Sequence, residues 1–309
     1  MSRGTKVVLA YALQPTVDTV PSAAWKILPR VTDSLNNAME MTESETINDS
    51  RVKTAGAITS ATAEGDVEVE FIKGTYDDLL AAAAGNEWAA DVLTFGGDVV
   101  KSFAVEKKHA DINQYHYWKG MQVNTFKLDI PESGFIGMTF GFIGRGYEPK
   151  TAAVSKTPEA AKTSPKATSL NVGDIKINGE SMQNLACVTA FSFELTNNIE
   201  NQSCLGGGLY GANLLAMLQD MTGSMTLAYS AKAQSILDTQ LTGAPVKIEA
   251  SITFPNSTDS YTLTIPKAQI SGDLPSGGKD KLDATLSYSV YADLPADLPS
   301  ITRVVTVAP

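Results

Sequence analysis

From Gly65 the chain places Val67, Val69 and Phe71 on one side and Asp66, Glu68 and Glu70 on the other. This two-residue period predicts a strand with one packed face and one wet face. A helix follows: Thr75 and Asp78 have the spacing of an N-cap with an acid three residues on. Leu79, Leu80 and Ala83 form its buried stripe, and Gly85 ends it. The pattern returns without a gap. From Gly223 the chain reads Gly-x-Met225-x-Leu227-x-Tyr229, then a helical run with Ile236, Leu237 and Leu241, then Gly243. A repeat of this size is read before any motif because it decides the architecture.

The rest of the pattern is strand-rich. Short strands are predicted over Trp25–Val31, with Pro29 at an edge, over Met39–Ile47, which puts Glu43 and Glu45 on one face, and over Val99–Lys107, Tyr115–Lys119, Gln122–Ile130 and Phe135–Ile143. Met138, Phe140 and Phe142 share a face of the last of these. Asn48–Glu64 is rich in Ser, Thr, Ala and Gly and reads as a long loop of the kind that contacts partners. In the second half the strands are Val188–Leu195, Met225–Tyr229, Val246–Phe254, Tyr261–Ile265, Ala268–Ile270 and Leu282–Tyr291. Asn197–Gly211 reads as a loop, and Gly206–Leu218 has no evident first-half counterpart. Residues 149–169 are a linker by composition, and the proline-bearing tail is extended along something else. The chain therefore divides into 1–148 with an N-terminal arm, the linker 149–169, and 170–309. It is mainly β: two mostly antiparallel sandwich- or half-barrel-like domains, each with one packed helix.

Composition narrows the function. The 309 residues carry a net charge of −10, with 43% hydrophobic and 19% charged residues. That balance argues against a dedicated nucleic-acid binder. The dense basic cluster Lys107-Lys108-His109 reads as a solvated loop. No apolar stretch is long enough to span a bilayer, and the opening Met1-Ser2-Arg3-Gly4 lacks the apolar core of a signal peptide, so synthesis in the cytosol is expected. Cys187 and Cys204 form neither a disulfide framework nor a metal site by count, and are read as buried or half-buried thiols. His109 and His116 lie among polar neighbours, with no Gly-x-Ser-x-Gly elbow. Gly206-Gly207-Gly208 lacks the Lys-Ser/Thr of a P-loop. The acid pairs Glu43/Glu45, Glu68/Glu70 and Asp77/Asp78 lack an aromatic sugar platform and read as wet faces. No catalytic, cofactor or metal residues are assigned, and an enzyme is not expected.

Trp25 and Leu28, then Asp33-Ser34-Leu35, Glu43-Ser44-Glu45 and Asp49-Ser50-Arg51, together resemble the N-terminal signature of the tail tube proteins of long, non-contractile-tailed (siphovirus-type) bacteriophages. Asp77-Asp78-Leu79-Leu80 and Phe140-Gly141-Phe142-Ile143-Gly144 extend the likeness, which spans most of the chain. The resemblance implies a duplicated-domain structural subunit, without cofactor, that forms rings stacked into a tube. DNA and a tape measure protein would occupy the lumen, and tail tip and terminator proteins the ends. The protein would be made in the bacterial cytoplasm and reside in the virion tail. Two units per chain then suggest trimeric, pseudo-hexameric rings. A lumen lined by carboxylates repels DNA phosphate. Glu43, Glu45, Glu68 and Glu70, with Glu194 in the second half, are the expected lining. Asp49, Arg51, Lys53 and Glu64 are the expected contacts between subunits or rings. The competing reading is a two-domain β-sandwich binding module such as a capsid decoration protein, adhesin or lectin.

Overall fold

The alternation at Val67–Phe71 becomes part of a fourteen-residue strand. The computed structural model describes residues 3–22, 24–277, 279 and 281–304. Its first half contains β1 (Val7–Leu13), β2 (Lys26–Ile27), β3 (Thr32–Asp33), β4 (Asn36–Thr42), β5 (Ala57–Glu70), helix α1 (Asp77–Ala84), β6 (Val92–Thr94), β7 (Phe103–His109), β8 (Gln114–Ile130), β9 (Gly137–Gly144) and β10 (Gly146–Lys150). The second half contains β11 (Val172–Ile177), β12 (Glu180–Ser181), β13 (Val188–Thr196), β14 (Glu200–Gln202), β15 (Asn213–Leu215), β16 (Asp220–Ala228), helices α2 (Ala231–Leu237) and α3 (Thr239–Thr242), β17 (Val246–Thr253), β18 (Ser260–Gly272), β19 (Asp283–Val290) and β20 (Ser300–Val304). The protein is mainly β, as its alternation predicts.

One antiparallel sheet crosses the whole chain in the order β4–β5–β9–β8–β13–β16–β19–β18. Residues facing one another across an antiparallel ladder share a face. Val69, Met138, Leu128, Phe193, Gly223, Tyr288 and Ile270 stand in one such row and turn inward. The core runs across the junction of the halves: Phe126 packs at a tilt against Phe140 at 5.3 Å and Phe193 at 6.3 Å. Aromatic pairs of this kind add about 0.5–1.5 kcal/mol each beyond their buried area.

The core is closed on its other side by a second layer. β8 and β18 each serve both layers. The first part of β8 pairs with β7 and β10, while its later part pairs with β9 and β13. The first part of β18 likewise pairs with β17 and β20, and its end with β19. Gly120, in the left-handed region at φ 62°, sits where β8 changes partners. The two separate strands predicted over 115–119 and 122–130 are thus one strand with a glycine kink, and those over 261–265 and 268–270 are one strand as well. Helix α1 buries Leu79 to Ala84 and ends at Gly85, which is left-handed at φ 66°. It starts two residues beyond Thr75, which does not cap it. In the second half Ile236 and Leu237 are buried, whereas Leu241 is 82% exposed.

Strand pairings of the first half recur in the second. β1–β7, β7–β8, β8–β9 and β5–β9 correspond to β11–β17, β17–β18, β18–β19 and β16–β19. The separation that carries Gly65 to Gly223 also carries the pair Thr42↔Ala57 onto Glu200↔Leu215. This corrects the reading of Gly206–Leu218 as an unmatched insertion. Each half has a projecting hairpin arm, one through β4–β5 with residues 43–56 at its tip, the other through β14–β15 with the glycine-rich segment at its tip. The second arm folds back on the first half: Ala61 N–H donates to the Leu209 carbonyl, and the Tyr210 hydroxyl bonds Asn37.

Other expectations change. The strand predicted over Met39–Ile47 ends at Thr42, and the loop predicted over Asn48–Glu64 becomes strand from Ala57, because β5 pairs with β4 over that stretch. The short strand over Trp25–Val31 shrinks to Lys26–Ile27. Lys107, Lys108 and His109 belong to β7 rather than a loop. Lys107 pairs with Asp33, and Lys108 donates to Ser155 O. Both cysteines are exposed. The segment 149–169 is pinned to the first half. Buried Glu106 accepts from Val154 N (2.5 Å), Ser155 N (2.9 Å) and the Ser155 hydroxyl, with Lys108 at 3.5 Å. The tail forms β20, which pairs with β18 on one edge and β6 on the other. Arg303 fixes it there, bonding Asp77 at 2.5 Å and Asp91 at 2.8 Å while lying 4.4 Å over the Trp88 ring.

Two predictions follow from these contacts. Tyr288 crosses over Gly223 to donate its hydroxyl to Ser192 O at 2.7 Å, and a Cβ at Gly223 would overlap the Tyr288 ring. Gly223→Ala is expected to cost about 1–3 kcal/mol, read as a lower urea midpoint; an unchanged midpoint would refute the close approach. Glu106→Ala removes the anchor of the 149–169 segment. Trypsin is then expected to cut at Lys156 or Lys162 at least several-fold faster than in the parent, and equal rates would show that the anchor does not hold the segment.

A polar sheet face and two open edges

The wet side of the eight-stranded sheet is built by the same register as its core. Glu68, Thr139, Lys127, Glu194, Thr222, Ser289 and Gln269 form one row across β5, β9, β8, β13, β16, β19 and β18. Glu70, Gly137, Asp129, Ser192, Ser224, Ser287 and Ser271 form the next. Asp66, Gly141, Thr125, Thr196 and Asp220 form a third. Gly141 has no room for a side chain, because Thr125 and Asp66 lean over it from both sides.

The sequence-chosen residues separate on this frame. Glu68, Glu70 and Glu194 lie on the wet face, and Glu68 and Glu194 are exposed on it. Glu70 is half-buried and bonds Lys166 at 2.5 Å. Glu64 stands on the same face, in β5 opposite Asn36, rather than in a loop. Glu43 and Glu45 lie beyond the end of β4, in the arm tip with Asp49, Arg51 and Lys53, and Glu43 pairs with Lys53. The sheet therefore does not carry Glu43 or Glu45 in its rows. Lys127 and Asp129 belong to this face and were missed as site residues. Their signal was present in the alternation Thr125-Phe-Lys127-Leu-Asp129-Ile130.

Charge on this face is uneven. The first half supplies Glu64, Asp66, Glu68, Glu70 and Asp129 against Lys127. The second half supplies Glu194, Asp220 and Asp283, the last paired with Lys281 at 3.3 Å, among hydroxyls: Thr222, Ser224, Thr226, Thr285, Ser287 and Ser289. Lys127 and Glu194 face each other where the halves join. A surface of this sign repels polyanions, and its hydroxyls offer them only weak, neutral contacts.

The histidines lie on the opposite layer. His116 bonds the Tyr147 hydroxyl at 2.7 Å and packs edge-on against His109. Burial, then His109 and Lys107, push its pKa below the ordinary value. These rings are neighbours across β7–β8: His116 lies in the strand predicted over 115–119, and His109 in a strand where a loop is expected.

The sheet has two ends. Among the described residues, β4 pairs with β5 alone, and the last residues of β18 pair with β19 alone. Unpaired edges of this length invite another strand unless they are covered. No described helix is long and apolar enough to cross a membrane. No curated protein sequence matches this chain. The phage tail tube protein family matches it over residues 4–290, nearly its whole length and both halves of the sheet, and the chain belongs to that family.

Proposed function

We propose that this chain is the major tail tube subunit of a long-tailed phage, of the siphovirus type, which polymerises into stacked rings whose bore conducts DNA to the host. The observation that carries this reading is the unbroken eight-stranded sheet with one acidic and hydroxyl-rich face and an open edge at each end. A sheet with two free edges removes both by pairing head to tail, and such an interface makes a ring when its rotation closes. Three chains bring six copies of the repeated unit and twenty-four strands. At a strand spacing of about 4.8 Å and a tilt of about 35–45°, that barrel is roughly 45–52 Å across. A DNA duplex passes through such a bore with space for side chains and water.

The polar face lines the bore in this reading. Glu64, Glu68 and Glu194 repel phosphate, so DNA moves without being held. The ring is sixfold in shape and threefold in surface chemistry, because Thr222, Ser224, Thr226 and Ala228 stand in the second half where β5 has Glu64, Asp66, Glu68 and Glu70. The charged arm tip with Asp49, Arg51 and Lys53 makes contacts between subunits. The tape measure protein occupies the bore before DNA does, terminator and tip proteins cover the tube ends, and the subunit is made in the host cytoplasm before assembly.

Negative-stain microscopy of the concentrated protein is expected to show rings or tubes, and monomers alone, with no such tube in virions, would overturn the reading. The lining is tested separately by Glu64→Lys with Glu68→Lys. Both side chains are exposed on the wet face, so tubes are expected to form while DNA ejection slows at least several-fold. Ejection at the parental rate from such tubes would discard the lining.

A further inference from the structure

Among the described residues, the eight-stranded sheet joins its first-half unit to its second-half unit through the β8–β13 ladder, and that junction is a template. Its backbone ladder runs Thr125↔Thr196, Phe126↔Leu195, Lys127↔Glu194, Leu128↔Phe193, Asp129↔Ser192 and Ile130↔Phe191. The internal repeat assigns each of these residues a counterpart in the other unit. Asp33 faces Val67 as Phe191 faces Met225, and Asn37 faces Ala63 as Leu195 faces Met221. Residues 33–38 therefore correspond to 191–196. On the other strand, Phe126 reaches Val67 through Phe140, as Gly272 reaches Met225 through Leu286. Residues 271–276 therefore correspond to 125–130. The counterparts of the two paired strands are the two open edges of the sheet.

Resting on the tube reading, we propose that successive chains join by pairing residues 271–275 of one copy with residues 34–38 of the next, in the register of the β8–β13 junction. Ala38 then faces Ser271, Asn37 faces Gly272, Asn36 faces Asp273, Leu35 faces Leu274 and Ser34 faces Pro275. The partner is a second copy of this chain.

Four observations fit this register. First, Ser34 donates its backbone N–H to Asp66 O at 2.9 Å, within its own sheet. Alternation along a strand then turns the N–H groups of Leu35 and Asn37 to the open edge. They meet Leu274 and Gly272, which have N–H groups to offer in return. Pro275, which has none, falls opposite Ser34 at a position that needs no bond across the seam. Second, the Gly272 N–H has a side-chain acceptor. It donates to the Gln240 side chain at 3.3 Å, a long bond that an incoming strand can replace. Third, Leu274 is 66% exposed, whereas its counterpart Leu128 is 7% exposed under the internal junction. An open groove lined by Gln240, Asp273, Leu274 and Lys281 runs along this edge. Fourth, Asn197 reaches Ala83 O at 3.1 Å at the internal junction. The counterparts of these two residues are Met39, 57% exposed, and Leu241, 82% exposed. A polar contact inside the chain becomes an apolar contact between chains, and the exposed leucine of α3 acquires a role.

Engineered cysteines test the register. In a Cys187→Ser, Cys204→Ser background, Asn36→Cys and Asp273→Cys form a non-hydrogen-bonded pair. The Cα atoms of such pairs are about 4.5 Å apart, within disulfide range. Oxidised tubes are expected to run as a covalent trimer on a denaturing, non-reducing gel. The pair Asn37→Cys with Asp273→Cys places the two sulfurs on opposite faces and is expected not to link. Hydrogen exchange on the unaltered protein gives an independent reading: amides of Leu35, Asn37, Gly272 and Leu274 are expected to exchange at least tenfold more slowly in tubes than in free subunits. Tubes that neither link at Asn36/Asp273 nor protect these amides would overturn the seam and leave the tube function standing. A covalent hexamer from the Asn36/Asp273 pair would overturn closure by three chains. Absence of any ring or tube from the parent protein and from virions would remove the function and the seam together.

Discussion

The backbone ladder between β8 and β13 is the constraint on which the architecture depends. It joins four strands of the first half to four of the second, so that one sheet spans the chain. Because side chains alternate with a period of two, this pairing also decides which residues face the core and which face water in both halves at once. A slip of one residue would expose Phe191, Phe193 and Leu195 and bury Glu194 against Phe126. Packing of Phe126 between Phe140 and Phe193 holds the register from the core side, and the Lys127–Glu194 juxtaposition supports it from the wet side.

Given that register, the rest of the molecule covers the inner face of the sheet and leaves its two ends open. The second layer, α1 and the α2–α3 pair close the core. β20 returns from the second half to pair with β6 of the first, held by Arg303 between Asp77 and Asp91. The second arm lies on the first half through Leu209 and Tyr210. Among the described residues, no hydrogen bond ties residues 43–56 of the first arm to the second half, and the arm carries exposed Ile47 and Val52. An assembly that repeats the internal junction between chains gives the first arm the same kind of support from its neighbour.

Much of this was legible in the sequence. Val67-x-Val69-x-Phe71 and Phe140-x-Phe142 fixed their faces by alternation, and Gly85 and Gly243 marked helix ends because the chain turns left-handed there. What escaped notice has physical causes. Gly120 breaks the pattern of β8 without breaking the strand, because the kink lets one strand serve two layers. Gly206–Gly208 disguises a hairpin tip as an unstructured loop, and the pairing that reveals it involves only β14 and β15, three residues each. Residues 149–169 have a linker's composition, but the buried carboxylate of Glu106, distant in sequence, pins them. The wet-face acids were readable one strand at a time, whereas their alignment into rows depends on tertiary pairing that no local pattern encodes. Glu43 and Glu45 were misplaced because their alternation continues past the point where β4 stops.

A helical cryo-EM reconstruction of the tube tests the central claim most directly. The account predicts three chains per ring and a continuous barrel of twenty-four strands, with the row Glu68, Thr139, Lys127, Glu194 and Thr222 facing the bore. A ring in which this row faces outward, or in which the sheet is broken between chains, would contradict it.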